Sequence, residues 1–181
     1  MSSQRKDRTS TLAELLKDKP KRGRPPHAVS RQNVYVALSD DEKQQMKRLA
    51  LLLPSGLSRA DLPDLAIATL TARLEALHRA VSDRNREIPE GITDLESLYL
   101  LWDLAVPVET AERKWTSIRV SPQEVIELGR AHGTLNAVFG ANRSETFSLA
   151  LILLTLFIET QNLPPTTTLA EVRKIILTNY L

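Results

Sequence analysis

The chain has no cysteine among its 181 residues. That excludes disulfides, thiolate metal sites and a cysteine nucleophile. Aromatic residues make up only 4%, so a core has to be assembled from Leu, Ile, Val and Ala. No long apolar run occurs. The longest, Leu149 to Ile158 with Thr155 inside it, covers about half of the roughly 20 residues a membrane helix needs, and it reads as a buried helix. Met1 to Asp7 is charged and lacks an apolar stretch, so no secretory signal and no membrane partner are expected, and a cytoplasmic location is. A Gly-rich phosphate loop, a nucleophile–base pair and carboxylates at metal-ligand spacing are also missing. His27, His78 and His132 are far apart, and His132 reads as a hydrogen-bonded core residue. The run Asp40-Asp41-Glu42 is accounted for by a helix start. These absences point away from an enzyme, a cofactor or a metal.

Charge is present but unevenly placed. The chain as a whole carries +2. Residues 1–31 hold nine Lys/Arg against three acids, a net of +6, which leaves fifteen against nineteen, or −4, for residues 32–181. A basic arm on a mildly acidic body suits a polyanionic partner. The arm is rich in Pro, Lys, Arg and Ser and has too little apolar area to order itself. Its one helix-like stretch, Thr11 to Leu16, is too short to stand alone.

From Asn33 the pattern changes. Val34, Val36 and Leu38 alternate with Asn33, Tyr35 and Ala37, which predicts a short half-buried strand. Ser39 and Glu42 have capping-box spacing ahead of a helical stripe of Met46, Leu49, Ala50 and Leu53. Pro54-Ser55-Gly56 breaks that helix, and Ser58 is a suitable cap for a second one carrying Leu62, Leu65, Ala66, Leu70 and Leu74.

The same grammar returns further along. Thr116, Ile118 and Val120 alternate with Trp115, Ser117 and Arg119. Ser121 and Glu124 are spaced as a second capping box, with Pro122 at the first helical position. Leu128, Ala131, His132 and Leu135 form the next stripe, and Asn142-Arg143-Ser144-Glu145 opens the apolar helix. Leu38, Ser39, Glu42 and Met46 lie 82 residues before Val120, Ser121, Glu124 and Leu128, and after the breaker the offset is 84. This is an internal duplication of a strand–helix–turn–helix unit over about 45 residues. Between the copies, Thr93 and Glu96 predict a capped helix to Leu104, with Leu95, Leu98, Leu101 and Trp102 inward and Pro107 beyond it. After Pro164-Pro165, Thr168 and Glu171 predict a last helix to Tyr180.

One such unit cannot shelter the apolar face of its strand. Two can, by pairing strands antiparallel over four helices. The expected fold is mostly α with a short two-stranded antiparallel ribbon. Residues 1–31 are the arm, 32–78 the first copy, 79–112 a linker with a helix, 113–161 the second copy and 162–181 a C-terminal helix.

Strand, capped helix, Gly-containing turn, then a small polar residue, Arg and an acidic residue resembles the ribbon–helix–helix family of DNA-binding proteins. The pattern occurs twice, in Gly56-Leu57-Ser58-Arg59-Ala60-Asp61 and Gly140-Ala141-Asn142-Arg143-Ser144-Glu145. The resemblance covers about 90 residues and implies a pseudo-dimer within one chain, with accessory helices. It implies a ribbon in the major groove, which admits one. The base-contacting residues would be Asn33, Tyr35 and Ala37 with Trp115, Ser117 and Arg119. Asn33 suits adenine, Arg119 guanine, and Ala37 at most a thymine methyl. Ala37, Tyr35 and Trp115 depart from the family's polar readers, which implies an asymmetric site. The second helices would hold phosphate through Ser58, Arg59 and Ala60 and through Asn142, Arg143 and Ser144.

In the arm, Lys21-Arg22-Gly23-Arg24-Pro25 resembles an AT-hook. That resemblance implies an extended core in an A·T-rich minor groove, with Arg22 and Arg24 in its negative potential, Gly23 allowing close approach and Pro25 directing the chain outward. Together these features predict a sequence-preferring protein on double-stranded DNA with A·T-rich flanks, nucleoid-associated in a bacterial-type cytoplasm, repressing transcription by occluding an operator. An accessory factor in plasmid partition, conjugation or transposition would use the same contacts. An antitoxin-like interaction module would need none of them. The apolar faces of the middle and C-terminal helices suggest self-association along repeated sites.

Overall fold

Alternation in the two short segments produces two strands, β1 (Gln32–Leu38) and β2 (Lys114–Val120). The computed structural model describes residues 30–82, 92–107 and 112–181. Residues 1–29 of the basic arm, with the Lys21–Pro25 hook, the Thr11–Leu16 segment and His27, and residues 83–91 and 108–111 of the linker lie outside the described residues.

The strands pair antiparallel, with Asn33 opposite Arg119, Tyr35 opposite Ser117 and Ala37 opposite Trp115. Ser117 lies 82 residues after Tyr35, so the register is centred on equivalent positions of the two repeats. Asn33 therefore faces the equivalent of Ala37, and Ala37 the equivalent of Asn33. Val34, Val36 and Leu38 with Ile118 and Val120 turn one face of the ribbon into the core. A one-residue slip would expose all of them, which is what specifies this register.

Helix α1 (Asp40–Leu52) begins with the expected reciprocal cap: Ser39 Oγ accepts from the Glu42 amide at 3.1 Å and Glu42 accepts from the Ser39 amide at 2.7 Å. Ser58 does not open an α-helix directly. It leads a 3-10 turn, Arg59–Asp61, and α2 (Leu62–Ser82) follows, running four residues into the stretch read as linker. Pro63 falls in the first turn of α2, where its missing amide costs nothing.

The short α3 (Leu95–Leu101) differs from expectation at both ends. Asp94, rather than Thr93, caps it by accepting from the Ser97 amide, and it stops before a left-handed Asp103. Tyr99 is buried where Leu101 was expected, because the helix settles through Leu98, Tyr99 and Trp102.

The second repeat supplies α4 (Pro122–Phe139) and α5 (Arg143–Thr160), separated by Gly140 at φ 70°, the left-handed geometry that favours glycine after a helix. The capping box expected at Ser121 and Glu124 is not formed. The Ser121 amide donates to Asp64 Oδ1 at 2.9 Å, and Glu124 accepts from Arg173 at 2.6 Å. Asp64 is fully buried, and a buried carboxylate needs donors to offset its desolvation.

Helix α5 is buried on nearly every side, as an all-round apolar helix should be, and packs most extensively on α2. Its Thr155 hydroxyl accepts from Gln45 of α1 at 2.6 Å. Helix α6 (Leu169–Tyr180), capped by Thr168 and Glu171, closes the core with Val172 and Ile176. No single helix among the described residues is long and apolar enough to cross a membrane.

Candidate nucleic-acid interface

The face of the ribbon turned away from the core carries all six residues read as base contacts. Asn33, Tyr35, Trp115, Ser117 and Arg119 are exposed, and Ala37 is half-buried. Cross-strand pairing sorts them into three rows. Asn33 and Arg119 make a polar end, Tyr35 and Ser117 the middle, and Ala37 and Trp115 an apolar end. Tyr35 is 63% exposed and Trp115 75% exposed, so two aromatic faces stand in water with no part in the core. They are diagonal neighbours on adjacent strands, within reach of one another.

Each end of the ribbon is tied to the start of one second helix. At the apolar end, the Ala37 amide donates to Ser144 Oγ at 2.8 Å, fixing α5 against β1. At the polar end, Arg31 binds Asp61 and lies 3.4 Å from Asp64, which also holds the Ser121 amide. The chain entering β1 and the chain leaving β2 are thus bolted to the 3-10 turn and α2. Strands of seven residues place the two helix starts roughly 20 Å apart. Arg59 and Arg143, one at each start, are exposed, as is Arg119, and none of the three makes an ion pair among the described residues.

Local detail changes the part some residues can play. Ser144 is buried; its amide donates to Asn142 Oδ1 at 2.9 Å and its hydroxyl oxygen accepts from the Ala37 amide. Burial and these bonds make it a residue that positions the helix start. The amides of Arg59 and Ala60 belong to a 3-10 turn, with the α-helical dipole beginning only at Leu62. Burial would raise the Asp61 carboxyl, but bonds from the Ser58 amide and hydroxyl, together with Arg31, outweigh it and hold Asp61 below the usual range. A fixed negative charge therefore sits beside Ser58, and Arg59 carries the positive potential there. Arg31, counted with the basic arm, is spent on Asp61 and Asp64 and is not available to an outside polyanion.

A groove of about 1010 Å³ borders the apolar end of the ribbon, between Tyr35, Ala37 and Trp115 on one side and α3 with the Asn142–Glu145 start of α5 on the other. His132 opens onto this groove half-buried instead of sitting in the core, because α4 turns Leu128, Ala131 and Leu135 inward. Tyr99 forms part of the lining, and burial raises its phenol, with Arg113 opposing and Glu42 and Glu145 adding. Nothing local in residues 92–107 signals that α3 stands beside the ribbon.

No family model matches this chain, and no curated protein or solved structure matches it. The site therefore rests on its own geometry. Among the described residues no group of three or more His, Asp or Glu side chains is placed to hold a metal ion. The arrangement offers side chains that donate, accept and stack from a narrow two-stranded ridge, flanked by two exposed guanidinium groups.

Proposed function

We propose that this chain is a DNA-binding protein built as two fused ribbon–helix–helix copies, with β1 and β2 lying in the major groove. The observation that supports this most is the register: the strands pair about equivalent positions of the repeats, and every residue expected to read bases lies on the outer face. A two-stranded ribbon fits the width and depth of the major groove. Arg59 and Arg143 are then set to contact phosphates on either side, and Arg119 and Asn33 at the polar end to read bases. The arm would add contacts in an A·T-rich minor groove through Arg22 and Arg24, as homeodomain arms do beside their major-groove helix. Occupying an operator in this way represses transcription without covalent chemistry.

Genome-wide mapping of bound sites, followed by salt titration of binding to the mapped site and to an unrelated duplex, tests the reading. Short asymmetric sites with an A·T-rich flank beside promoters are expected. Affinity should fall steeply with salt on both duplexes, from a higher starting value on the mapped one. Long bound tracts near an origin or element end would assign the same contacts to an accessory role. Absence of binding to any duplex at moderate salt would refute the proposal.

A further inference from the structure

The two ends of the ribbon's outer face differ in what they offer a partner. At the apolar end Ala37 pairs with Trp115 across the strands, and Tyr35 is the diagonal neighbour of Trp115. All three border the groove beside the ribbon. The Ala37 amide donates to Ser144 Oγ at 2.8 Å and is therefore turned away from β2. That makes Ala37 and Trp115 a non-hydrogen-bonded pair, the kind whose side chains stand closest. The Ala37 side chain is a single methyl group, so the Trp115 ring, 75% exposed, has no bulky side chain opposite it.

The hydrogen-bonding atoms of these three side chains are only the Tyr35 hydroxyl and the Trp115 indole N–H, both at ring rims. Base edges in the major groove carry acceptors and donors except at C5 of the pyrimidines, where thymine has its methyl group. An apolar side chain laid on a polar edge strips water from it and returns no bond. Laid on a methyl group, it removes apolar area from water instead. Arg143 borders the same groove, next in sequence to the Ser144 that holds Ala37. With its guanidinium on a phosphate, this end of the ribbon would be pressed onto the base edges.

We propose that Tyr35, Ala37 and Trp115 form a receptor for pyrimidine C5 methyl groups in double-stranded DNA, with Trp115 as its specificity-determining residue. Thymine and 5-methylcytosine carry the same methyl at the same position, so the site would respond to cytosine methylation as well as to base sequence. The inference rests on the proposed placement of the ribbon in the major groove and adds what its apolar end selects there.

The test follows binding of the full chain to the mapped duplex by fluorescence anisotropy. The duplex is resynthesised with deoxyuridine for thymidine, or 5-methyldeoxycytidine for deoxycytidine, one position at a time. Deoxyuridine keeps the pairing edge and lacks only the methyl. Under the apolar end, each methyl removed should weaken binding about fourfold and each methyl added should strengthen it about fourfold, the value of burying one such group. Under the polar end the same exchanges should leave affinity unchanged. Trp115→Ala should abolish the responses, and Trp115→Phe, which keeps an apolar ring, should retain them. The thermal melt should stay put in both, since Trp115 lies outside the core. Three results would overturn the inference while the mapped duplex is still bound and the major-groove reading stands: no response at any position, an equal response along the whole site, or responses that persist in Trp115→Ala. Failure to bind any duplex would overturn both.

Discussion

Replacing Arg119 by Ala separates base reading from charge attraction. Arg119 is exposed, faces Asn33 across the ribbon and makes no ion pair among the described residues. Its removal should therefore leave stability within about 0.5 kcal/mol, as for most surface positions. On DNA, a bidentate Arg–guanine contact contributes about 1–3 kcal/mol of discrimination, which is roughly 5- to 150-fold in affinity for the mapped site. The equivalent position in the first repeat is Ala37, at the opposite end of the ribbon. The loss should accordingly fall on one base pair of one half-site. Fluorescence anisotropy against a set of duplexes mutated one position at a time reads this directly. In Arg119→Ala, one position should become indifferent to base identity while the unrelated duplex is bound nearly as before. The contrasting change is Arg59→Ala or Arg143→Ala, which should weaken every duplex alike and reduce the salt slope by about 1. An equal loss on all duplexes from Arg119→Ala would place its guanidinium on phosphate and refute the ribbon as the source of specificity.

Three further outcomes bear on the arm and the body. Arg22→Ala with Arg24→Ala should weaken binding and erase any preference for A·T flanks while the thermal melt stays put; unchanged affinity on A·T-flanked sites would reject the hook. Asp64→Asn leaves Arg31 with Asp61 as its one remaining carboxylate and weakens the anchor of the Ser121 amide. It should cost about 1–3 kcal/mol in chemical denaturation, the range for losing a hydrogen bond to a charged group, and a loss under about 0.5 kcal/mol would show the anchor to be dispensable. Glu124 sets a pH dependence: folded it titrates near 7 against an ordinary 4.5, so the native state holds the extra proton between those values. Stability present below about pH 4.5 is then lost as pH rises through 7, by an amount on the order of 3 kcal/mol. Glu124→Gln should flatten that slope, and a wild-type curve already flat over this window would contradict it.

The strands were legible because alternation over six residues is a local signal, and so was the α1 cap, where Ser39 and Glu42 bond each other. The 82-residue offset between repeats made the pairing of β1 with β2 legible as well, since each strand has one apolar face and nothing else to cover it. The Ser121–Glu124 spacing was the same local signal and failed, because both groups have stronger partners that are distant in sequence: Asp64 and Arg173. Arg31 was read as arm charge for the same reason, since its value depends on Asp61 in the 3-10 turn and Asp64 in the first turn of α2. Which ribbon residues face outward was legible, because outward and inward positions alternate. The rest of the site was hidden where α3 and Trp115 line one groove and where the Ser144 hydroxyl holds Ala37, arrangements that no periodicity encodes.

The proposed fusion of two units would have a physical consequence for the interface. In a symmetric dimer every outward side chain would appear twice, and the two ends of the ribbon would be chemically identical. Here one end presents Asn33 and Arg119 while the other presents Ala37 and Trp115 beside a groove that α3 helps to form. The polar end is suited to hydrogen-bonded readout and the aromatic end to apolar contact and stacking. Covalent linkage also makes strand pairing intramolecular, so the ribbon's stability does not depend on protein concentration as an obligate homodimer's does. Under the proposed reading, each side of the ribbon is free to accept substitutions that a two-fold copy would have to accommodate at both ends, and Tyr35, Ala37 and Trp115 would be such substitutions.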